Sequence, residues 1–101
     1  MRSQNFFVYI TTNPGKTVYY TGVTNDLKRR LEEHRENRGK PETFAGRNYC
    51  YNLLYYERFP QVRQAIEREK EVKDISREEN EALIRTENPW MRFLRIAEEG
   101  R

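Results

Sequence analysis

A small three-stranded antiparallel sheet flanked by helices, an α+β fold in the order β-β-α-β-α-α, is the architecture this sequence predicts. Three observations carry it. Two runs of β-branched and aromatic residues, FFVYITT (6–12) and TVYYTG (17–22), are separated only by NPGK. A third run of that kind, YNLLYYERF (51–59), follows a stretch with helical periodicity. Beyond Pro60 the apolar residues recur at helical spacing.

The elements follow in order. In NPGK, Pro14 and Gly15 hold the central positions that a type II turn prefers, so the first two runs read as a hairpin. With Asn13 facing Lys16, Tyr9 falls directly opposite Tyr20, close enough for the side chains to meet. A bulge at Gly15 shifts that register by one. Thr24 or Asn25 caps a helix over 26–38, Asp26 suits its positive start, and Gly39 ends it. Residues 40–50 read as a loop. Pro60 opens a long helix reaching about Ser76, and a further helix covers 77–85. Pro89 opens a short last helix with Trp90, Phe93 and Leu94 as its packing face.

At 101 residues the chain reads as one domain over 1–101. Aromatic residues reach 13% and cluster in periodic segments, which argues for a folded chain despite 35% charged residues. Cys50 is the single cysteine, so no internal disulfide forms, and it reads as a packing residue. No apolar run approaches the ~18 residues of a membrane span, and the N-terminus has no signal-peptide pattern. The expected location is the cytoplasm. Net charge is only +3, but residues 1–40 hold eight basic and four acidic side chains. A basic first half suits a phosphate-bearing partner.

Two helices carry polar residues on their apolar faces. With Leu27 at zero on a helical wheel, Leu31 falls at about 40°, His34 at about 340° and Arg30 at about 300°, while Arg29 at about 200° faces away. A lone histidine on an apolar face is usually a packing residue and a border arginine usually snorkels outward, yet here they form an (i, i+4) pair. With Val62 at zero, Ala65 falls at about 300°, Ile66 at about 40°, Glu69 at about 340° and Lys73 at about 20°. A carboxylate on an inward stripe needs a partner or a metal ion. An exposed Glu69–Lys73 pair, worth ~0.3–0.5 kcal/mol, does not explain that orientation.

The inward polar set is therefore Tyr9, Tyr20, Arg30, His34 and Glu69. Arginine offers planar, permanent charge to phosphate oxygens. One carboxylate with waters suits Mg²⁺. A phenol or imidazole handles a water's proton. The set fits metal-assisted attack on a phosphodiester better than acyl transfer. One Cys and one His cannot build a zinc site.

In these residues the chain resembles the GIY-YIG nucleases. It is most similar to the small bacterial members that look like the N-terminal domain of the excision-repair endonuclease. The first motif stands as Phe7-Val8-Tyr9 and the second as Tyr20-Thr21-Gly22. The family's arginine lands on Arg30, its histidine or tyrosine on His34, and its glutamate on Glu69 within AIERE. The first motif's glycine is Phe7 here, and Val23 stands where some repair homologues carry lysine. Lys73 and Asn88 also match family positions; the favoured reading of Asn88 is a helix N-cap ahead of Pro89.

The resemblance implies a DNA endonuclease dependent on one Mg²⁺ or Mn²⁺ ion held by Glu69, with repair or recombination as its setting. Tyr9 is then the general base, aided by His34, because a phenol titrates near 10. Tyr20 orients the water or Tyr9, and Arg30 stabilises phosphate charge. Gly22 allows a tight strand-to-helix turn. RNA is an alternative substrate. The rival reading is a nucleic-acid-binding module with weak or no catalysis, and a third is a protein-interaction surface on residues 44–59. No zinc finger or helix-turn-helix is present, so selectivity falls to the 40–50 loop, a partner or DNA shape.

Overall fold

The computed structural model describes residues 5–96. Its sheet has strands β1 (Phe6–Thr12), β2 (Tyr19–Thr24) and β3 (Asn52–Phe59), all antiparallel in the order β2-β1-β3. The helices are α1 (Leu27–Glu36), α2 (Phe44–Arg47), α3 (Val62–Asp74) and α4 (Arg77–Glu87). The α+β architecture is the expected one, with α2 added inside the segment read as loop. The central strand β1 is buried from Phe7 through Thr12, which is why its run of apolar residues is unbroken.

The hairpin register differs from the expected one by two residues. Tyr9 pairs with Gly22, and Tyr20 pairs with Thr11. The cause is Asn13. Its Oδ1 accepts from the Thr17 and Val18 N–H groups at 2.8 and 3.1 Å, and its Nδ2 donates to Thr17 Oγ1 at 2.7 Å. Those N–H groups are withdrawn from the ladder, so the loop lengthens to 13–18 and pairing begins at Thr12–Tyr19. Lys16 N–H still donates to Asn13 O at 3.0 Å, but Gly15 lacks the positive φ of a type II turn; Lys16 takes it instead, at 58°. Tyr9 and Tyr20 stay on one face as diagonal neighbours.

That face holds Phe7, Tyr9, Leu27 and Leu53, with Tyr20, Leu31 and Leu94 against them. The opposite core gathers Ile10, Leu54, Tyr55, Val72, Ile84 and Met91. A register shift in β3 opposite Ile10 and Thr11 lets the consecutive Leu54 and Tyr55 join the same core.

Boundaries move for local reasons. Asp26, not Thr24 or Asn25, caps α1: its carboxylate accepts from Arg29 N at 3.1 Å. Gly39 terminates the segment after α1 with φ 84°. The helix after Pro60 starts at Val62, with Gln61 as its cap. The last helix expected from Pro89 does not form. Asn88 is the C-cap of α4 rather than an N-cap, and its side chain takes the Arg92 N–H at 3.1 Å while donating to Leu54 O and Arg92 O at 2.9 Å. Residues 88–96 therefore run as irregular chain, and Leu94 N–H bonds Leu53 O at 2.8 Å. Met91 is buried there instead of the expected Trp90 and Phe93, which are exposed. Among the described residues no helix is long and apolar enough to cross a membrane. Cys50 is buried, and burial pushes its thiol up to about 11, so it packs rather than reacts.

Candidate active site

Four of the five expected residues meet on the α1 side of the sheet. Strand β1 delivers Tyr9, β2 delivers Tyr20, and α1 carries Arg30 and His34 one turn apart. Tyr9 Oη lies 2.8 Å from His34 Nε2, and Arg30 Nε donates to the same Oη at 3.3 Å. Arginine can only donate, so the phenol oxygen accepts from Arg30; its bond to His34 Nε2 runs from phenol to imidazole in the tautomer that carries its proton on Nδ1. The Tyr20 ring meets His34 edge-on at 5.4 Å and the Tyr9 ring at 6.2 Å. The wheel separated Arg30 from Arg29 correctly: Arg29 points outward toward Glu33.

Depth orders the cluster. Tyr9 is 0% exposed and His34 8%, whereas Tyr20 and Arg30 are half-buried and form the mouth. Burial drives the Tyr9 phenol well above its usual range, against a smaller downward pull from the Arg30 hydrogen bond. Burial first, and the Arg30 cation second, lower His34 to about 4, with Glu33 opposing. At pH 7 the pair is a neutral phenol and a neutral imidazole.

Stability should therefore depend on His34. The unfolded chain binds its proton near 6.5, the folded chain only near 4, so stability falls as pH drops through that window. Between pH 7 and 5 the loss should be on the order of 2 kcal/mol. Urea denaturation of wild type and His34→Gln at both pH values checks it. An identical pH dependence in the two proteins would refute it.

Gly22 serves a different purpose from the expected turn. It lies inside β2 without positive φ, directly across from Tyr9. A β-carbon there would sit 2.5 Å from Tyr9 Oη and 2.6 Å from Cζ. The missing side chain is the slot into which the phenol fits.

Glu69 is the fifth residue, and it shares no hydrogen bond or ring contact with the other four among the described residues. Its stripe is rotated from the expected one. Ala65 and Val72, seven residues apart, are buried, while Val62 and Ile66 are exposed. Glu69 borders that stripe, its side chain 21% exposed, and pairs with Lys73 Nζ at 3.1 Å. Lys73 in turn lines a cleft of about 350 Å³ with Tyr19, Tyr20, Thr21, Phe44, Val72 and Asn80. The expected ion pair thus exists, and it stands at the edge of the cleft that Tyr20 enters.

Among the described residues no three His, Cys, Asp or Glu side chains converge on one point. A single accessible carboxylate still fits Mg²⁺ or Mn²⁺, ions that keep several waters and share a phosphate with their substrate. Two contacts of the cluster were not among the expectations. Glu33 accepts from Arg30 Nη1 at 3.0 Å, a partner that (i, i+3) spacing could have suggested. Phe44 stacks on Tyr20, with ring centres 6.4 Å apart and planes at 24°, a contact with no local signal.

Residues 5–82 match the GIY-YIG catalytic domain. The chain belongs to the GIY-YIG family. This is an endonuclease domain family, whose members act on nucleic acid. A UPF0213 protein of Natronomonas pharaonis is 36% identical over 81 residues, covering 80% of this chain and 92% of that protein. The UPF0213 protein YazA of Bacillus subtilis is 30% identical, with 83% and 82% covered. The solution NMR structure of a UPF0213 protein from Bacillus halodurans is similar at TM-score 0.53 and 31% identity, covering 83% of this chain and 86% of that one. The small GIY-YIG fold expected from the motifs is thus the observed one. Tyr9 on β1 lies directly across from Gly22 and diagonally from Tyr20, both on β2.

Proposed function

We propose that this GIY-YIG domain is an endonuclease that hydrolyses DNA phosphodiester bonds with one Mg²⁺ or Mn²⁺ ion. The observation that carries the reading is the Tyr9–His34–Arg30 hydrogen-bonded cluster, with an imidazole nitrogen 2.8 Å behind a phenol and a cation in front of it. Arg30 binds the scissile phosphate. Its bond to Tyr9 is long at 3.3 Å, and a phosphate offers two charge-assisted bonds in exchange. Moving to the phosphate vacates the acceptor side of the buried phenol, and a water entering beside Tyr20 takes that place. Tyr9 accepts the water's proton while passing its own to His34 Nε2. The phosphate also offsets the Arg30 charge that depresses His34, so the imidazole becomes a better proton acceptor when substrate arrives. Tyr20 orients the water. Glu69 would hold the metal ion, which would supply charge stabilisation at the phosphate and the leaving 3′ oxygen.

The complete burial of Tyr9 favours one competing reading, a module that binds nucleic acid without cutting it. Nicking of supercoiled plasmid with Mg²⁺, Mn²⁺ or chelator, beside Glu69→Ala, tests both. The nuclease reading expects metal-dependent nicking that falls by about 10²-fold or more in Glu69→Ala, equivalent to ~3 kcal/mol. DNA binding without nicking would select the module. Nicking unaffected in Glu69→Ala would remove Glu69 from the site.

A further inference from the structure

We propose that Phe44 is a stacking platform for an unpaired nucleobase beside this site, so that the preferred substrate is single-stranded or locally unpaired DNA. The inference rests on the nuclease reading above. Phe44 is a large apolar side chain left 45% exposed, at the start of α2. One neighbour is the Tyr20 ring, itself against His34. Phe44 is therefore one ring removed from the hydrogen-bonded cluster, on the wall of the cleft that Lys73 also lines.

The platform is rigid. Thr43 Oγ1 accepts from Gly46 N at 3.0 Å, Gly39 N–H bonds Gly46 O at 2.8 Å, and Cys50 N–H bonds Ala45 O at 2.9 Å. A β-carbon at Gly46 would lie 2.6 Å from Lys40 O and 2.8 Å from Asn37 O, so α2 is seated tightly against the end of α1. A fixed, solvent-facing ring needs no ordering when a base arrives.

The charges match a nucleic-acid strand. Residues 38–47 carry Arg38, Lys40 and Arg47 against one acid, Glu42. The Arg47 guanidinium lies 5.9 Å from the centre of the Phe44 ring, near the outer limit of a cation–π contact, and donates to Pro41 O at 3.2 Å; a phosphate offers it stronger, charge-assisted bonds in exchange. An aromatic face with cations along the backbone path is how single strands are gripped. In duplex DNA both faces of a base are covered by its neighbours. A base in a single strand, gap or junction has a face free for Phe44.

The test uses 2-aminopurine, whose fluorescence is quenched by stacking, in a single-stranded oligonucleotide and in its duplex, with chelator present. Phe44→Leu keeps bulk against Tyr20 without an aromatic face, and Phe44→Tyr restores the face. Wild type should quench the single strand and prefer it over duplex. Phe44→Leu should lose about tenfold or more in single-strand affinity together with the preference, and Phe44→Tyr should recover both. Thermal unfolding confirms that each variant is folded. Equal quenching and preference in Phe44→Leu would overturn the proposal, as would equal losses on both DNA forms or no affinity for either. Adding Mg²⁺ or Mn²⁺ separates the two readings. Stacking without cutting leaves the platform standing and removes the nuclease. Cutting with an unchanged single-strand preference in Phe44→Leu does the reverse.

Discussion

Tyr9→Phe should slow DNA cleavage by roughly 10²- to 10⁴-fold, the range over which a positioned proton-transfer group acts. The substitution removes one oxygen and leaves the ring. That oxygen links Arg30 Nε to His34 Nε2, at 3.3 and 2.8 Å. Without it His34 has no path to the water, and Arg30 loses its anchor at the mouth of the site. The buried imidazole nitrogen also loses its partner, so the variant should be less stable by ~1–3 kcal/mol while keeping its fold. Single-turnover rates with saturating metal, measured well below the unfolding midpoint, separate the two effects. A Tyr9→Phe protein that cuts at the wild-type rate would place Tyr9 among packing residues and leave Tyr20 as the phenol of the reaction.

Gly22→Ala should damage both stability and activity through a single methyl group. The new β-carbon would sit 2.5 Å from Tyr9 Oη and 2.6 Å from Cζ, far inside van der Waals contact. Tyr9 cannot yield easily. It lies on the central strand, fully buried, and any shift of the ring stretches its 2.8 Å bond to His34. Overpacking of this kind costs ~1–3 kcal/mol, and the displaced phenol should lower the cleavage rate as well. Gly15→Ala is the control, because a β-carbon there meets nothing closer than 3.9 Å. Urea midpoints of the two variants give the comparison. A Gly22→Ala protein within about 0.5 kcal/mol of wild type would show that the strands part more readily than the packing implies.

Much of this was readable along the chain because the signals are local. Alternating and continuous apolar runs marked all three strands, and helical periodicity put Arg30 and His34 on the inner face of α1 while turning Arg29 outward. The motif spacing that resembles the GIY-YIG nucleases named the same residues. The same reasoning failed where one side chain reached across a turn. Asn13 drew two N–H groups out of the hairpin ladder and moved Tyr9 from Tyr20 to Gly22. Asn88 captured the Arg92 N–H and replaced an expected helix with irregular chain.

By itself, then, the sequence determined the three strands, the helices α1, α3 and α4, and which polar residues of α1 face inward, since periodicity and turn chemistry act over a few residues. Tertiary structure alone decided how those residues share protons and room. Tyr9 is the deepest member because β1 is central, Gly22 is its slot because the register slipped by two, and Glu69 stands by the cleft because α3 packs through Ala65 and Val72. Each of these depends on contacts between residues distant in the chain, and their geometry is fixed only when the layers close on one another.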